Sequence, residues 1–545
     1  MEMDAAQYAA MTVEMLESGN WLHFTDLGNP YLDKPPLVFW TAGLCYKLLG
    51  ISAFSYKLPS LLFWLLGLYA VYRFAKIYYS ENIALTAAFV LATSQAAFLM
   101  TNDCRTDTLL TGAVAFAIWQ LAAYWETRKW QYFVGGFVGI GLAMLAKGPI
   151  GAMIPVWTFG AHFVLTKQWK AFFHGQWLLG VGIVMLVIFP MLWGLYTQFD
   201  LHPEMLVHGK NGVSGLRFFF WTQSFGRITG ESAWADDTGY GFFVHTTLWV
   251  FLPWGVLLMR AVFSRRFSQK GTQMNADKKE EFLSLMGFVL TFVAFSLSKY
   301  KLPHYIFVAY PMGAVLVAVY LEKIIAEKKA LFAWFWLQNI TGIVLFVAAF
   351  GVCGWVFFSP FFLGICSILL LIFLFLAKAT YFWLKTGTEI SFLPQKIRET
   401  FPTFSFLLPS MVMILSINLI SNAHFYPQLL NYQSSTAVGK YIAAHHLPKS
   451  RIFILSFYST PDIFIGKRVQ IFREEQAEDC TKDGAIYVYA PIEYAQKLRE
   501  LGKNIEVLQT FEDFKVTHLS FAFLNPKTRK EVLKKRVLIK VAAIF

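Results

Sequence analysis

Two carboxylates and a small set of cations and phenols are the residues of this chain whose types and places could do chemistry together. Asp4 and Asp107 are the acids able to orient an incoming hydroxyl or take its proton. Lys34, Arg227 and Lys301, with the phenols of Tyr31 and Tyr305, could grip a phosphate and stabilise it as it leaves. Lys34 lies in the run Tyr31-Leu-Asp33-Lys34-Pro35-Pro36, whose prolines restrict the backbone and so fix where the ammonium points. Arg227 follows a glycine and offers a planar, bidentate donor. Each residue also has a plainer use. Asp4 could cap the helix beginning Ala-Ala-Gln-Tyr, Asp107 could pair with Arg105 or cap the next helix, and Lys and Tyr often anchor helices at a membrane interface.

A divalent metal ion could be held by Asp33 with one of His202, His208, His245 or His304, although no pair has the spacing of a metal motif. Lys147, in Leu145-Ala-Lys147-Gly-Pro149, reads more readily as structural. The cysteines Cys45, Cys104, Cys353, Cys366 and Cys480 are scattered, with neither disulfide-framework nor zinc spacing.

The elements that must position these residues are set by the solvent the chain prefers. Of 545 residues, 56% are hydrophobic and only 15% charged, well below the roughly 25% charge of soluble domains. That composition describes an α-helical polytopic membrane protein. In such a protein the formal net charge of +13 marks cytoplasmic loops, and nucleic acid is not an expected partner. Apolar runs near 59–79, 83–101, 107–125, 131–146, 149–166, 175–196, 241–262, 280–297, 304–322, 331–357, 361–377 and 403–421 make about twelve candidate spans. With residues 1–58 placed outside the cytoplasm, nineteen Lys and Arg fall on cytoplasmic loops and seven on the opposite inter-span loops, which orients the chain by the positive-inside rule. Every dense polar cluster then lies on the extracytoplasmic face.

Three regions follow: a first extracytoplasmic loop over 1–58, a transmembrane bundle over 59–421 that includes a long outer loop at 197–240, and a C-terminal unit over 422–545. In the last, Arg451-Ile-Phe-Ile-Leu-Ser-Phe and Ala485-Ile-Tyr-Val-Tyr read as short strands, and 491–501 as an amphipathic helix. A small extracytoplasmic α/β domain is expected there.

A family resemblance gathers these motifs. Asp4-x-x-x-Tyr8, Glu14-Met-Leu, Tyr31-x-Asp33-Lys34-Pro35-Pro36, Arg105-x-Asp107, Leu145-Ala-Lys147-Gly-Pro149 and Lys301-Leu-Pro303-x-Tyr305 together resemble the polyprenyl-phosphate-sugar-dependent glycosyltransferases of the membrane GT-C fold, over residues 4 to about 322. The chain is most similar to the aminoarabinose transferases that modify lipid A, with the protein O-mannosyltransferases as relatives. The resemblance implies about thirteen spans, interfacial helices in the first outer loop, and a catalytic aspartate just after the first span, a role that falls on Asp4. It supports Lys34 and Tyr305 as phosphate ligands, whereas Arg227 rests on aligning a divergent loop. It implies transfer of a sugar from a polyprenyl-phosphate donor to lipid A, another glycan or a protein, at the outer face of the plasma (inner) membrane. Residues 1–20 hold no run long enough to span, so the span that should precede Asp4 is expected to be missing from this sequence. The alternative is a transporter or flippase of a lipid-linked sugar. Such a protein would use charges near the bilayer midplane and repeat symmetry, and the acids here gather at one face instead.

Overall fold

The computed structural model describes residues 3–102, 104–207, 209–223, 226, 238–264, 281–327, 330–386, 395–455, 465–473 and 484–542. Arg227, Asp103, His208 and Cys480 lie outside the described residues.

The chain opens with helix α1 (Met3–Ser18), a short hairpin of β1 (Thr25–Asp26) and β2 (Asn29–Pro30), and helix α2 (Leu37–Leu49). Neither helix reaches the roughly 20 apolar residues a span needs. They pack together through Tyr8 of α1, edge-on to Phe39 of α2 with ring centroids 5.8 Å apart. Helix α3 (Ala53–Tyr78) then starts at a capping box, in which Ser52 and Ser55 satisfy each other's backbone N–H.

Seven helices are long and apolar enough to cross a membrane, or eight if one bent pair counts as a span, among the described residues. This differs from the count of twelve read from hydropathy, for identifiable reasons. The run at 83–101 is not one straight helix: α4 (Glu81–Ala92) and α5 (Gln95–Asn102) meet at 54°. The run at 241–262 divides into Phe242–Val250 and Gly255–Phe263 around the cis Leu252–Pro253 bond. The runs at 149–166 and 280–297 form helices of 16 and 14 residues, α8 (Ile150–Leu165) and Leu283–Ser296. A window of fixed length registers apolar content and is blind to such breaks.

The bundle is organised around α6 (Thr106–Thr127). Of its most apolar window 89% is buried inside the protein, as is that of Pro303–Glu327, against 11% for Pro360–Thr386, so α6 lies inside the bundle and Pro360–Thr386 at its periphery. Helix α6 lies against α3 on one side and α7 (Trp130–Lys147) on another. Close approach to α3 depends on small residues, as is usual where no hydrophobic effect drives helices together. A Cβ on Gly112 of α6 would sit 2.1 Å from the Phe63 carbonyl oxygen of α3. Helices α7 and α8 form a hairpin through Gly148, whose φ of 81° suits glycine. Helix α9 (Gln176–Leu195) follows α8 after a short helical turn at Trp169–Phe173 and continues into Tyr196–Asp200.

Past the helices, a five-stranded mixed sheet has the order β4-β3-β5-β7-β6, with β3 (Ile452–Ile454), β4 (Gln470–Ile471) and β5 (Ile486–Pro491) parallel. The antiparallel strands β6 (Ile505–Asp513) and β7 (Lys534–Val541) complete it. Alternation along β3 and β5 sends side chains into two cores. Phe453 and Val488 meet the helix Ile492–Glu500, while Ile452, Ile454 and Tyr489 meet the helix Ser434–Ala444. The strand expected at 451–457 is present over Ile452–Ile454, with 456 and 457 outside the described residues, and the strand expected at 485–489 and the helix at 491–501 are present as Ile486–Pro491 and Ile492–Glu500.

Two arginines tie this sheet region to the rest. Arg529 donates to the Val356 carbonyl at 2.5 Å and lies over the Phe357 ring. Arg468 reaches the first loop, pairing with Glu14 at 3.2 Å and with Asp26.

Gly112→Ala should lower stability by about 1–3 kcal/mol, because a methyl forced against backbone cannot be relieved by a rotamer change. Gly182→Ala, whose Cβ meets nothing within 4 Å, should leave the thermal midpoint in detergent unchanged; equal shifts for the two would argue against the close crossing of α3 and α6.

Candidate active site

At one end of the bundle, chain segments far apart in sequence bring four charges together. Arg105 stands just before α6 and Asp107 lies in its first turn, where the partial positive charge of a helix N-terminus favours a carboxylate. Lys147 is the last residue of α7, where the opposite end of the dipole favours a cation. The α7–α8 hairpin holds that lysine beside α6, and its ammonium pairs with the Asp107 carboxylate. Both side chains are buried, at 12% and 7% exposure. The same ammonium sits 3.9 Å from the centroid of the Tyr305 ring, a cation–π contact strengthened by desolvation.

Asp4 joins from α1. It lies in the first turn of that helix, and one of its oxygens accepts from the Arg105 guanidinium at 2.9 Å. His304 stands between the two pairs, its Nε2 3.4 Å from Arg105 Nη1 and 3.7 Å from Asp107 Oδ2. The His304 ring is edge-on to Tyr305 at 5.0 Å. Burial raises the Asp4 carboxyl above the ordinary aspartate value; Lys34 and Lys147 oppose that rise, and the Asp33 and Asp107 carboxylates add to it. Lys34 is therefore within electrostatic reach of Asp4.

Lys34 pairs with its neighbour Asp33 at 2.7 Å, and Asp33 also accepts through its backbone carbonyl from Gln223. Lys34 and Tyr31 line a cleft walled by Leu22, Phe24, Met191 and Phe219. The geometry thus sets a cation beside an apolar slot, with a carboxylate pair close by.

The residues singled out from sequence are not all brought together. Asp4, Asp107, Tyr305 and Lys34 converge. Tyr31 shares the cleft with Lys34 and packs edge-on against Phe39 at 6.1 Å. Lys301 is buried and donates to the Thr238 carbonyl at 2.9 Å, with the Tyr240 ring 5.8 Å away. Arg227 lies outside the described residues. Asp33 is engaged by Lys34, and no group of three His, Cys, Asp or Glu that could hold a metal ion occurs among the described residues.

Two contributors were underrated in sequence. Lys147 looked structural and is the buried counter-charge of Asp107; its signal was a lysine inside an otherwise apolar helix end, which in a membrane protein is costly enough to need a partner. His304 was weighed only as a metal ligand. Its place between Lys301-Leu-Pro303 and Tyr305 carried no spacing signal.

Comparison with known proteins fits this geometry. Residues 33–193 match the family model described as dolichyl-phosphate-mannose-protein mannosyltransferase. An undecaprenyl phosphate-alpha-4-amino-4-deoxy-L-arabinose arabinosyl transferase from Edwardsiella ictaluri is 26% identical over 342 residues, covering 60% of this chain and 57% of that protein. One from an Enterobacter species is 24% identical over 360 residues, covering 63% and 59%. The chain thus spans under two thirds of the length of these relatives. The crystal structure of ArnT from Cupriavidus metallidurans bound to undecaprenyl phosphate matches with a TM-score of 0.69 over 98% of this chain and 93% of that one, at 16% identity.

Lys147→Met should cost about 3–5 kcal/mol by leaving Asp107 charged and buried, whereas Lys147→Met with Asp107→Asn should recover most of it in the same denaturation assay. A double variant as unstable as the single one would mean that packing, not charge, is at stake.

By fold over nearly its whole length, and by sequence over part of it, the chain is similar to the GT-C polyprenyl-phosphate-sugar glycosyltransferases, the aminoarabinose transferases among them.

Proposed function

We propose that this protein is an integral membrane glycosyltransferase that moves a sugar from a polyprenyl-phosphate donor to an acceptor outside the cytoplasm, such as lipid A, another glycan or a protein. The observation that carries the proposal is the convergence of Asp4, Asp107, Arg105 and Lys147 beside the Lys34 cleft. The shared fold with a protein solved with undecaprenyl phosphate supports it.

In this reading the donor enters sideways from the outer leaflet, its polyprenyl chain against Leu22, Met191 and Phe219 and its phosphate at Lys34. The phosphate takes over the ammonium that Asp33 engages, with Arg227 as a further donor and Tyr31, Lys301 and Tyr305 framing the approach. Asp4 accepts the proton of the acceptor hydroxyl as its oxygen bonds to the anomeric carbon. The bond from that carbon to the phosphate oxygen breaks, and the electron pair leaves with polyprenyl phosphate, stabilised by the cations. Arg105 holds the Asp4 carboxylate in place, while Asp107 tunes the charge around it and, through Lys147, holds Tyr305.

The topology that goes with this reading has about twelve crossings, the broken helices included, in the plasma (inner) membrane. Residues 1–58, the loop at 197–240 and an α/β unit at 422–545 then lie outside. The nineteen-to-seven asymmetry of basic residues supports that orientation. The transporter reading is disfavoured, because the described charges gather at helix ends rather than midway along them.

Asp4→Asn should lower turnover of a polyprenyl-phosphate sugar by about 10²–10⁴-fold, read as release of free polyprenyl phosphate, while the protein stays folded. It should stay folded because burial disfavours the ionised carboxyl there and the amide oxygen of Asn can still accept from the Arg105 guanidinium. Full turnover by this variant would remove Asp4 from the mechanism.

The ionised form is the one that accepts the proton, so activity should fall as pH drops through the Asp4 pKa. Because that pKa is raised from 3.8, the acid limb of the pH–rate profile should lie above the ordinary aspartate value. An acid limb at or below that value would argue that another group titrates.

A further inference from the structure

At the end of the bundle away from Asp107, a cleft of ≈ 510 Å³ opens between the last turns of α3 and α6 and the start of α7. A helix rises about 1.5 Å per residue, so the part of α6 from Trp119 to Thr127 lies about 18–30 Å along its axis from Asp107. The cleft therefore sits near the opposite membrane boundary and shares no residue with the candidate active site.

Its lining is basic and aromatic: Arg73 and Lys76, with Tyr69, Tyr72, Trp119 and Tyr132. The Arg73 guanidinium lies 5.2 Å from the Trp119 ring centroid and 5.6 Å from that of Tyr69, and donates to the Tyr69 hydroxyl at 2.6 Å. Among the described residues no carboxylate forms a salt bridge with it. Lys76 lies 3.3 Å from Glu81, with both side chains about half exposed, a pairing worth little. Glu126 is the one acid in the lining, and it acts on the Tyr78 hydroxyl.

The face of α3 that leads to this cleft changes character along its length. Leu62, Leu65 and Tyr69 are exposed at 53%, 50% and 48%, and Tyr72 and Lys76 continue the same stripe at helical spacing. The stripe runs from bare leucine through tyrosine to cation. Such a surface matches acyl chain, glycerol backbone and phosphate in that order, whereas a soluble anion would have no use for the leucines.

We propose that this cleft binds one anionic phospholipid, its phosphate on Arg73 and Lys76 and its acyl chains along Leu62, Leu65 and Tyr69. Basic pockets between helices at the cytoplasmic boundary suit such headgroups, where anionic lipid also gives the leaflet its negative potential. The placement at that boundary rests on the orientation proposed above; the lipid chemistry of the cleft does not.

The test is native mass spectrometry of the full chain purified in detergent and offered phosphatidylglycerol and phosphatidylcholine with identical acyl chains. Wild type should retain phosphatidylglycerol about tenfold over phosphatidylcholine, on the order expected for two cations near a headgroup. Arg73→Gln with Lys76→Gln should lose most of that preference, Arg73→Lys should keep most of it, and Arg73→Gln alone should show an intermediate loss and serves if the double variant does not purify. Equal retention of the two lipids by wild type, or an unchanged preference in the glutamine variants, would overturn the proposal. Glycerol phosphate without acyl chains, binding as tightly as the lipid, would overturn the lipid reading in favour of a soluble anion. Release of polyprenyl phosphate, followed in the same preparations, reports on the active site independently, so a failure there and a failure here are distinguishable.

Discussion

The structure depends on how it disposes of buried charge. Asp107 and Lys147 sit where water is nearly excluded, and in such surroundings an unpaired ion costs several kcal/mol. The remedy is pairing, and pairing has geometric consequences. An acid in the first turn of α6 can meet a lysine on the last turn of α7 only if those ends lie side by side, which the α7–α8 hairpin at Gly148 secures. Both ions also sit at the helix ends that favour them. Asp4 and Arg105 repeat the logic between α1 and the segment before α6, so electrostatic necessity and helix termini assemble the same place twice over.

A cluster held this way can also be read chemically. Asp4 is the less enclosed of the two acids, with 38% of its side chain exposed against 7% for Asp107. The exposed acid can meet a second molecule, while the enclosed one sets the field around it. Lys34 stands apart, paired with an adjacent carboxylate at 2.7 Å, an arrangement in which a phosphate and Asp33 compete for one ammonium.

Much of this was legible in the residues themselves. Strand alternation at Ile452 to Ile454 and the amphipathic spacing after Pro491 read correctly, because periodicity is a local property. The acids Asp4 and Asp107 were also visible as candidates. Partner choice was not. Arg105 looked like the counter-ion of Asp107 because it stands two residues away, yet its described ion pair is with Asp4, 101 residues distant in sequence. Lys301 looked like part of the phosphate cradle, and its described contacts are with Thr238 and Tyr240. Breaks within the apolar runs were not legible either: hydropathy sums apolar content and cannot register the 54° bend between α4 and α5 or the break at Pro253.

The contact between Arg468 and the first loop bears on the order in which the molecule is completed. Glu14 also accepts from the backbone N–H groups of Leu27 and Gly28, and Asp26 from the amide of Gln7, so these two acids organise the loop that carries Asp4 and leads to Lys34. Their guanidinium partner comes 454 and 442 residues later. During synthesis, the first loop must wait for nearly the whole chain before its two carboxylates find that counter-charge. A loop made long before Arg468 is therefore among the last to reach its final form, and a nascent chain halted before residue 468 would carry Asp4 and Lys34 on a loop still short of that restraint.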